Sequence, residues 1–346
     1  MAMMSGLTFP GDCRAEIREF EKPEPGPTEA LIHIKASGLC GSDLPSYRAP
    51  DGLRAVGTND TIAAGHEPAG VVEAVGSLVT RFKPGDRVLA YHILGCGYCH
   101  NCRLGYPVMC TSPARAAYGG HRNGGHAEFM VAEERSLISL PDAVSFIDGA
   151  MVACGVSTAY AACVNAGVAA GDRVVVTGLG PVGLSVAMFA ADRGATVIGV
   201  DPNTERAEYA RNFGVTHAVS TLEGAVDRVR DLTGGTGAEV AIECSGNDSG
   251  RHLCLEGAGS WGRVVYVGFG GTSLTFDVGW LVIQKQLTIK GSWVSSLGQM
   301  ENVLDVLVRR DLHPDSMIVR QFALNEGAEA YKLFNAGSVG KIAIVA

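Results

Sequence analysis

Hydrophobic patterning divides the chain into two textures. Up to about residue 150, apolar residues come in short runs bounded by Gly, Pro and Asp: Leu31-Ile-His-Ile-Lys-Ala-Ser37, Gly70-Val-Val-Glu-Ala-Val-Gly76 and Asp86-Arg-Val-Leu-Ala-Tyr91. Such runs predict the short strands of a small barrel or irregular antiparallel sheet. Pro23-Glu-Pro-Gly-Pro27 between them reads as a loop. After about residue 155 the runs lengthen and alternate with helical periodicity. Arg173-Val-Val-Val-Thr177 predicts a fully buried strand, Val182–Arg193 a helix, Thr196–Asp201 a second strand and Asn203–Phe213 a polar helix. Further strands are expected at His217–Ser220, Glu239–Glu243, Arg263–Gly268 and Leu287–Lys290. Alternation of this kind implies right-handed βαβ units and a doubly wound parallel sheet, an α/β fold. From Ser292 the pattern gives helices at Met300–Arg310 and Asn325–Asn335, then a strand from Lys341, which is expected to return to the first domain.

Composition narrows the class. At 346 residues the chain is long enough for two domains, and 47% hydrophobic with 18% charged residues indicates packed structure. A net charge of −8 argues against a general nucleic-acid or anionic-membrane binder. No uninterrupted apolar run reaches the roughly 18–20 residues of a membrane span. The first residues lack the basic-then-apolar pattern of a signal peptide, so a cytoplasmic protein is expected. Two counts stand out: 46 glycines, spread along the chain, and 10 cysteines, four of them between positions 96 and 110. In a reducing compartment, clustered cysteines point to metal more often than to disulfides.

Gly178-Leu-Gly180-Pro181-Val182-Gly183 directly follows the strand ending at Thr177 and opens a helix. In that context the three glycines serve a tight turn, close approach of a pyrophosphate and helix–strand packing, with helix N-terminal amides facing the phosphates. Asp201 ends the next strand, where its carboxylate can accept from an adenosine ribose hydroxyl; a 2′-phosphate would meet like charge there, which favours NAD(H) over NADP(H). Cys96-Gly-Tyr-Cys99-His-Asn-Cys102 followed by Cys110 gives four thiolates that can close a tetrahedral shell, and a soft sulfur set selects zinc or iron–sulfur. Cys40, His66 and Cys154 are dispersed, and each alone has an ordinary packing reading.

Together, Cys40-Gly-Ser42-Asp43, Gly65-His66-Glu67-Pro68, the four-cysteine lobe, Cys154-Gly-Val-Ser-Thr-Ala-Tyr160 and the GLGPVG run resemble the zinc-dependent medium-chain alcohol and polyol dehydrogenases over essentially the whole chain. The resemblance implies a GroES-like, β-rich catalytic domain over 1–152 and 292–346 and a Rossmann domain over 153–291. It implies two Zn2+ per chain: a structural zinc on Cys96, Cys99, Cys102 and Cys110, and a catalytic zinc on Cys40, His66 and Cys154, with a fourth position for water or substrate. Asp43 would orient the His66 imidazole, and Glu67 would approach the metal during ligand exchange. The zinc would favour the alkoxide form of an alcohol, which passes hydride to NAD+, with Ser42 placed to take the proton. Relatives commonly carry a histidine shortly after the CGSD segment, whereas Pro45 stands here, so either Ser42 would hand the proton to ribose hydroxyls and water, or Ser46, Tyr47 or another polar group would continue the relay. The expected substrate is a secondary alcohol, polyol or sugar-like molecule; the runner-ups are a primary alcohol and an aldehyde or ketone reductase working in reverse. The resemblance also implies a homodimer or homotetramer, for which a strand near Leu287–Lys290 offers a sheet edge.

Some weaker expectations complete the reading. Val267 and Gly268, at a strand's carboxyl end, are expected to give the cofactor backbone contacts, as are residues around Gly291–Trp293. Arg48 and Arg54 read as solvated arginines that border a cleft, and His121 and His126 as either pocket or structural residues. Trp261, Trp280 and Trp293 read as packing residues, and Cys13, Cys163, Cys244 and Cys254 as buried thiols.

Overall fold

The structure is a computed structural model that describes residues 2–50, 61–271 and 273–346; Arg54 lies outside the described residues. The chain forms two compact units, Met1–Ser157 with Ser296–Ala346, and Thr158–Ser295.

In the first unit the strand Glu29–Gly38 is the hub. It pairs antiparallel with Pro68–Val75, Phe129–Glu133 and the terminal strand Lys341–Val345. Arg87–Ala90 and Leu137–Ser139 extend the sheet on one side and Ile318–Ala323 on the other, giving seven strands among the described residues. Ile32, Ile34, Val72, Val88 and Met130 fill one core of this unit. Leu7, Phe9, Tyr47, Tyr331 and Ile342 fill a second. The hairpin Met3–Gly11 with Arg14–Glu21, which the sequence pattern did not reveal, supplies part of that second core.

In the second unit, six parallel strands run in the order Val215–Val219, Thr196–Val200, Arg173–Thr177, Ala238–Glu243, Ala258–Tyr266 and Thr288–Gly291. Val174, Val175 and Val176 are completely buried, as a strand covered by helices on both faces must be. The order turns back at Arg173–Thr177, the strand that leads into the glycine turn. In doubly wound sheets that switch point is where ligands bind.

Some expectations change. Phe146–Ala166 is one continuous helix of 21 residues, long and apolar enough by length and composition to cross a membrane. Of its most apolar window 78% is buried within the molecule, so it reads as a core helix. Asp148, Ser157, Thr158 and Asn165 interrupt the apolar run, which is why counting uninterrupted residues missed it. Trp261, Trp280 and Trp293 are 75%, 65% and 51% exposed instead of packed: Trp261 sits at positive φ within the strand Ala258–Tyr266, Trp280 on the short helical turn Gly279–Ile283 and Trp293 in the loop after the edge strand Thr288–Gly291. Cys13 is exposed on the hairpin turn, while Cys163 and Cys254 are buried and Cys244 is half-buried. Tyr47 points into the second core, 3% exposed, and so is withdrawn as a proton carrier.

Candidate active site and metal centres

The loop leaving the hub strand carries Cys40 into a 3-10 turn, Gly41–Asp43. Asp43 folds back so that its Oδ2 accepts the Cys40 N–H at 2.9 Å, while Oδ1 lies 2.7 Å from His66 Nδ1. His66 and Glu67 sit in the loop entering Pro68–Val75. Cys154 comes from within the long helix, where Val152–Val156 forms one π-turn, a local widening often found at functional sites. The result brings one donor atom each from Cys40, His66, Glu67 and Cys154 within 4.8 Å of one another. Ser42 stands beside them, Oγ 3.1 Å from His66 Nε2 and 3.3 Å from Cys40 Sγ.

The electrostatics of this cluster call for a cation. Hydrogen bonding from the Cys154 thiol holds Cys40 well below the usual thiol range against burial, and the charge of His66 adds to this. The same hydrogen bond and burial push Cys154 well above it. Burial opposes a charged His66, yet Asp43 and Cys40 outweigh it and hold the imidazole well above its usual range. Two sulfurs are thus left to share a proton next to an imidazole whose Nδ1–H is committed to Asp43. Nε2, beside Ser42 Oγ and the Cys40 sulfur, is then the nitrogen turned toward a metal, so the set fits a divalent zinc ion.

Two further neighbours have no site role legible in the sequence. Lys341 is 2% exposed, and its Nζ lies 2.6 Å from Glu67 Oε2. Burial pushes the Glu67 carboxyl up against the pull of this partner, and Lys341, raised against its own burial by Glu67 and the neighbouring sulfurs, is the charged member of the pair. Gly38 makes room for the pair: a Cβ there would collide with Glu67 Oε2. His92, whose ring is 5.2 Å from that of His66, binds the Ala153 carbonyl through Nδ1 at 3.1 Å. Burial and the charge of His66 lower its pKa to about 4, so it is neutral near pH 7. The sequence gives neither Lys341 nor His92 a role at the site, and only the fold brings them to it.

Cys96, Cys99, Cys102 and Cys110 also place their sulfurs within 4.8 Å of one another. The Cys99 N–H donates to Cys96 Sγ and the Cys96 N–H to Cys110 Sγ, both at 3.3 Å. Backbone N–H groups hold Cys99 down to about 6 and lower Cys96, whereas burial raises Cys102 to about 12. Gly97, at φ 89°, makes the turn that lets these amides point at sulfur. All the cysteines are free thiols, and four sulfurs with no other donor among them fit a closed metal shell.

In the second unit the glycine turn separates into three jobs. Gly178 has φ 81°, and a Cβ on it would lie 2.7 Å from Ser245. A Cβ on Gly180 would meet nothing within 4 Å, which leaves this face open to a ligand at the start of the helix Pro181–Asp192. A Cβ on Gly183 would run into the Gly178 carbonyl. Asp201 is 5% exposed, and its carboxylate accepts N–H groups from Leu179 at 2.8 Å and Asn203 at 2.9 Å. It therefore braces the glycine turn, and a carboxylate with about four lone-pair sites retains acceptor capacity. The N–H groups of Val267 and Gly268 are both bound to the Glu243 carbonyl, so they are not free donors for a cofactor.

The remaining candidates have structural partners. Arg48 donates to Asn335 Oδ1 at 2.6 Å. His121 Nδ1 accepts the Ala117 N–H at 3.1 Å, and His126 is wholly buried.

Comparison with known proteins agrees with this layout. An alcohol dehydrogenase GroES-like domain matches residues 26–142, and a zinc-binding dehydrogenase domain matches 181–309. An uncharacterized zinc-type alcohol dehydrogenase-like protein of Escherichia coli is 44% identical over 99% of both chains. The chain belongs to the zinc-dependent medium-chain dehydrogenase family. Within that family, a sorbitol dehydrogenase of Halalkalibacterium halodurans is 30% identical over 94% of each chain. The solved structure of an alcohol dehydrogenase from Thermus sp. ATN1 superposes with a TM-score of 0.90 at 29% identity, covering 99% of each chain.

Proposed function

We propose that this dehydrogenase oxidises a secondary alcohol, polyol or sugar-like substrate with NAD+. Cys40, His66 and Cys154 would hold a catalytic zinc, and the four-cysteine lobe a structural one. The observation that carries this reading is the convergence of two sulfurs and one imidazole whose Nδ1 is held by Asp43 at 2.7 Å. Zinc in that position supplies Lewis acidity that lowers the cost of removing the hydroxyl proton, and NAD+ supplies the hydride acceptor.

The chain's own residues do the rest. Asp43 fixes the tautomer of His66 so that Nε2 faces the sulfurs. Ser42, exposed and 3.1 Å from Nε2, accepts the hydroxyl proton by hydrogen bond and passes it to water. Pro45 offers no proton carrier, and Ser46 is a half-buried hydroxyl on the same short helix, Leu44–Arg48. Asp201, buried at the end of its strand, opposes a 2′-phosphate by like charge and supports NAD(H) over NADP(H). The open edge Thr288–Gly291, exposed along its length, supports assembly into a homodimer or homotetramer. Reduced cysteines throughout fit a cytoplasmic setting.

Metal analysis tests the site. Purified protein is expected to carry two zinc ions per chain, and Cys154→Ser or His66→Ala one. A single zinc in the wild type, or two retained in both variants, would overturn the assignment.

A further inference from the structure

Behind Asp43 lies a second pair of buried groups. Tyr331, on the helix Gly327–Ala336, places its hydroxyl 2.9 Å from Asp43 Oδ2. His126 Nε2 lies 2.8 Å from the same hydroxyl. Both side chains are fully buried. The directions of these bonds follow from the inventory of donors. The carboxylate can only accept, so His66 Nδ1–H donates to one oxygen and Tyr331 O–H to the other. The tyrosine oxygen is then free to accept, and His126 must donate from Nε2–H.

Three observations separate this chain of bonds from ordinary core packing. His126 Nδ1 is buried without a partner among the described residues, and an unmet buried acceptor is costly. The ring is thus held where Nε2 serves Tyr331, not where both nitrogens are satisfied. Next, the His126 segment is laced to the segment that carries His66: Gly124 and His126 donate their N–H groups to the carbonyls of Ala63 and Ala64 at 2.8 and 2.9 Å. Finally, Gly65, at φ 86°, lies against the His126 ring, which a Cβ on it would strike. Burial lowers the His126 pKa to about 4, with the charges of His66 and Lys341 acting the same way and Asp43 opposing them, so the imidazole stays a neutral donor.

We propose that Tyr331 and His126 are positioning residues for the catalytic zinc: through His126–Tyr331–Asp43 they fix the carboxylate that orients His66. The inference rests on the assignment of that zinc to Cys40, His66 and Cys154. By clamping Oδ2, Tyr331 leaves Oδ1 alone to set the imidazole, and the C-terminal helix thereby controls a ligand 265 positions earlier in the chain. Partners that orient a metal-binding histidine typically change metal affinity or activity 10–100-fold when removed.

The test is Tyr331→Phe in the full, zinc-loaded protein, read by the rate at which a coloured chelator such as 4-(2-pyridylazo)resorcinol takes up zinc. One zinc is expected to leave about tenfold faster than from wild type, and the other at the wild-type rate. In the same variant kcat is expected to fall about tenfold with KM for NAD+ unchanged. Phe334→Leu, which disturbs the packing of Tyr331 from the same helix (ring centroids 6.3 Å apart) without touching a hydrogen bond, is expected to release both zincs at wild-type rates. Should Tyr331→Phe fail to fold, His126→Leu removes the donor to Tyr331 and carries the same expectation. A wild-type release rate in the folded variant, or equal acceleration in Phe334→Leu, overturns the inference. If the wild type itself holds one zinc, the assignment of the site fails instead.

Discussion

His126 shows how a single side chain can carry information that no motif records. Its ring titrates near 4 in the folded chain, chiefly because it is buried, against an ordinary value of 6.5. Between those pH values the unfolded chain binds a proton that the folded chain does not, so stability rises with pH across this window. It is complete above about 6.5 and lost as pH falls toward about 4, a span worth on the order of 3 kcal/mol. Chemical denaturation of wild type and His126→Gln at pH 4.5 and 7 checks this. The glutamine keeps an N–H donor but cannot protonate, so its stability should fall by about 2–3 kcal/mol less on acidification. Equal losses in the two proteins would count against His126. The same scale explains what the sequence could and could not tell. The four clustered cysteines announce themselves by type and spacing. Cys40, His66 and Cys154 could be joined only through resemblance to a family. Tyr331 lies 288 residues from Asp43 and Lys341 on the last strand, where the pattern gives no hint of a buried charge.

Among the elements, the parallel strands were the most legible, because runs such as Val174-Val175-Val176 are buried on both faces and leave no polar alternation to confuse the pattern. The first hairpin was hidden for the opposite reason. Gly6 interrupts its first strand, yet the ring of Phe20 covers that glycine, 2.9 Å from where a Cβ would be. Its turn uses Asp12 and Cys13, both at positive φ, where Asn-Gly or Asp-Gly would have signalled a hairpin. The long helix Phe146–Ala166 was also missed, and its π-turn is what presents Cys154. The glycine turn was read correctly as a motif, but only the structure shows which glycine tolerates change. Gly183→Ala forces a methyl into the Gly178 carbonyl and should cost about 1–3 kcal/mol of stability while weakening NAD+ binding more than tenfold. Thermal melting and NAD(H) titration of the variant check this. Unchanged binding would mean that the turn does not hold the pyrophosphate.

For the whole molecule, the two units divide the labour that the family implies. One gathers the sulfurs and imidazole at Cys40, His66 and Cys154, with a second sulfur cluster in its four-cysteine lobe; the other presents the open face at Gly180 and the buried carboxylate of Asp201. The α/β architecture and the family were legible in the sequence because they rest on periodicity and on motifs repeated along the whole chain. The surroundings of the sulfur and imidazole cluster were less so, since Lys341, His92, Tyr331 and His126 come to it only by folding. The decisive measurement is reduction of NAD+ by protein carrying two zinc ions per chain, against a panel of secondary alcohols, polyols and sugars, with NADP+ in parallel. The expected result is NADH formation with at least one member, faster with NAD+ than with NADP+ and abolished in His66→Ala. No reduction of either cofactor by any alcohol in the fully zinc-loaded protein would contradict it.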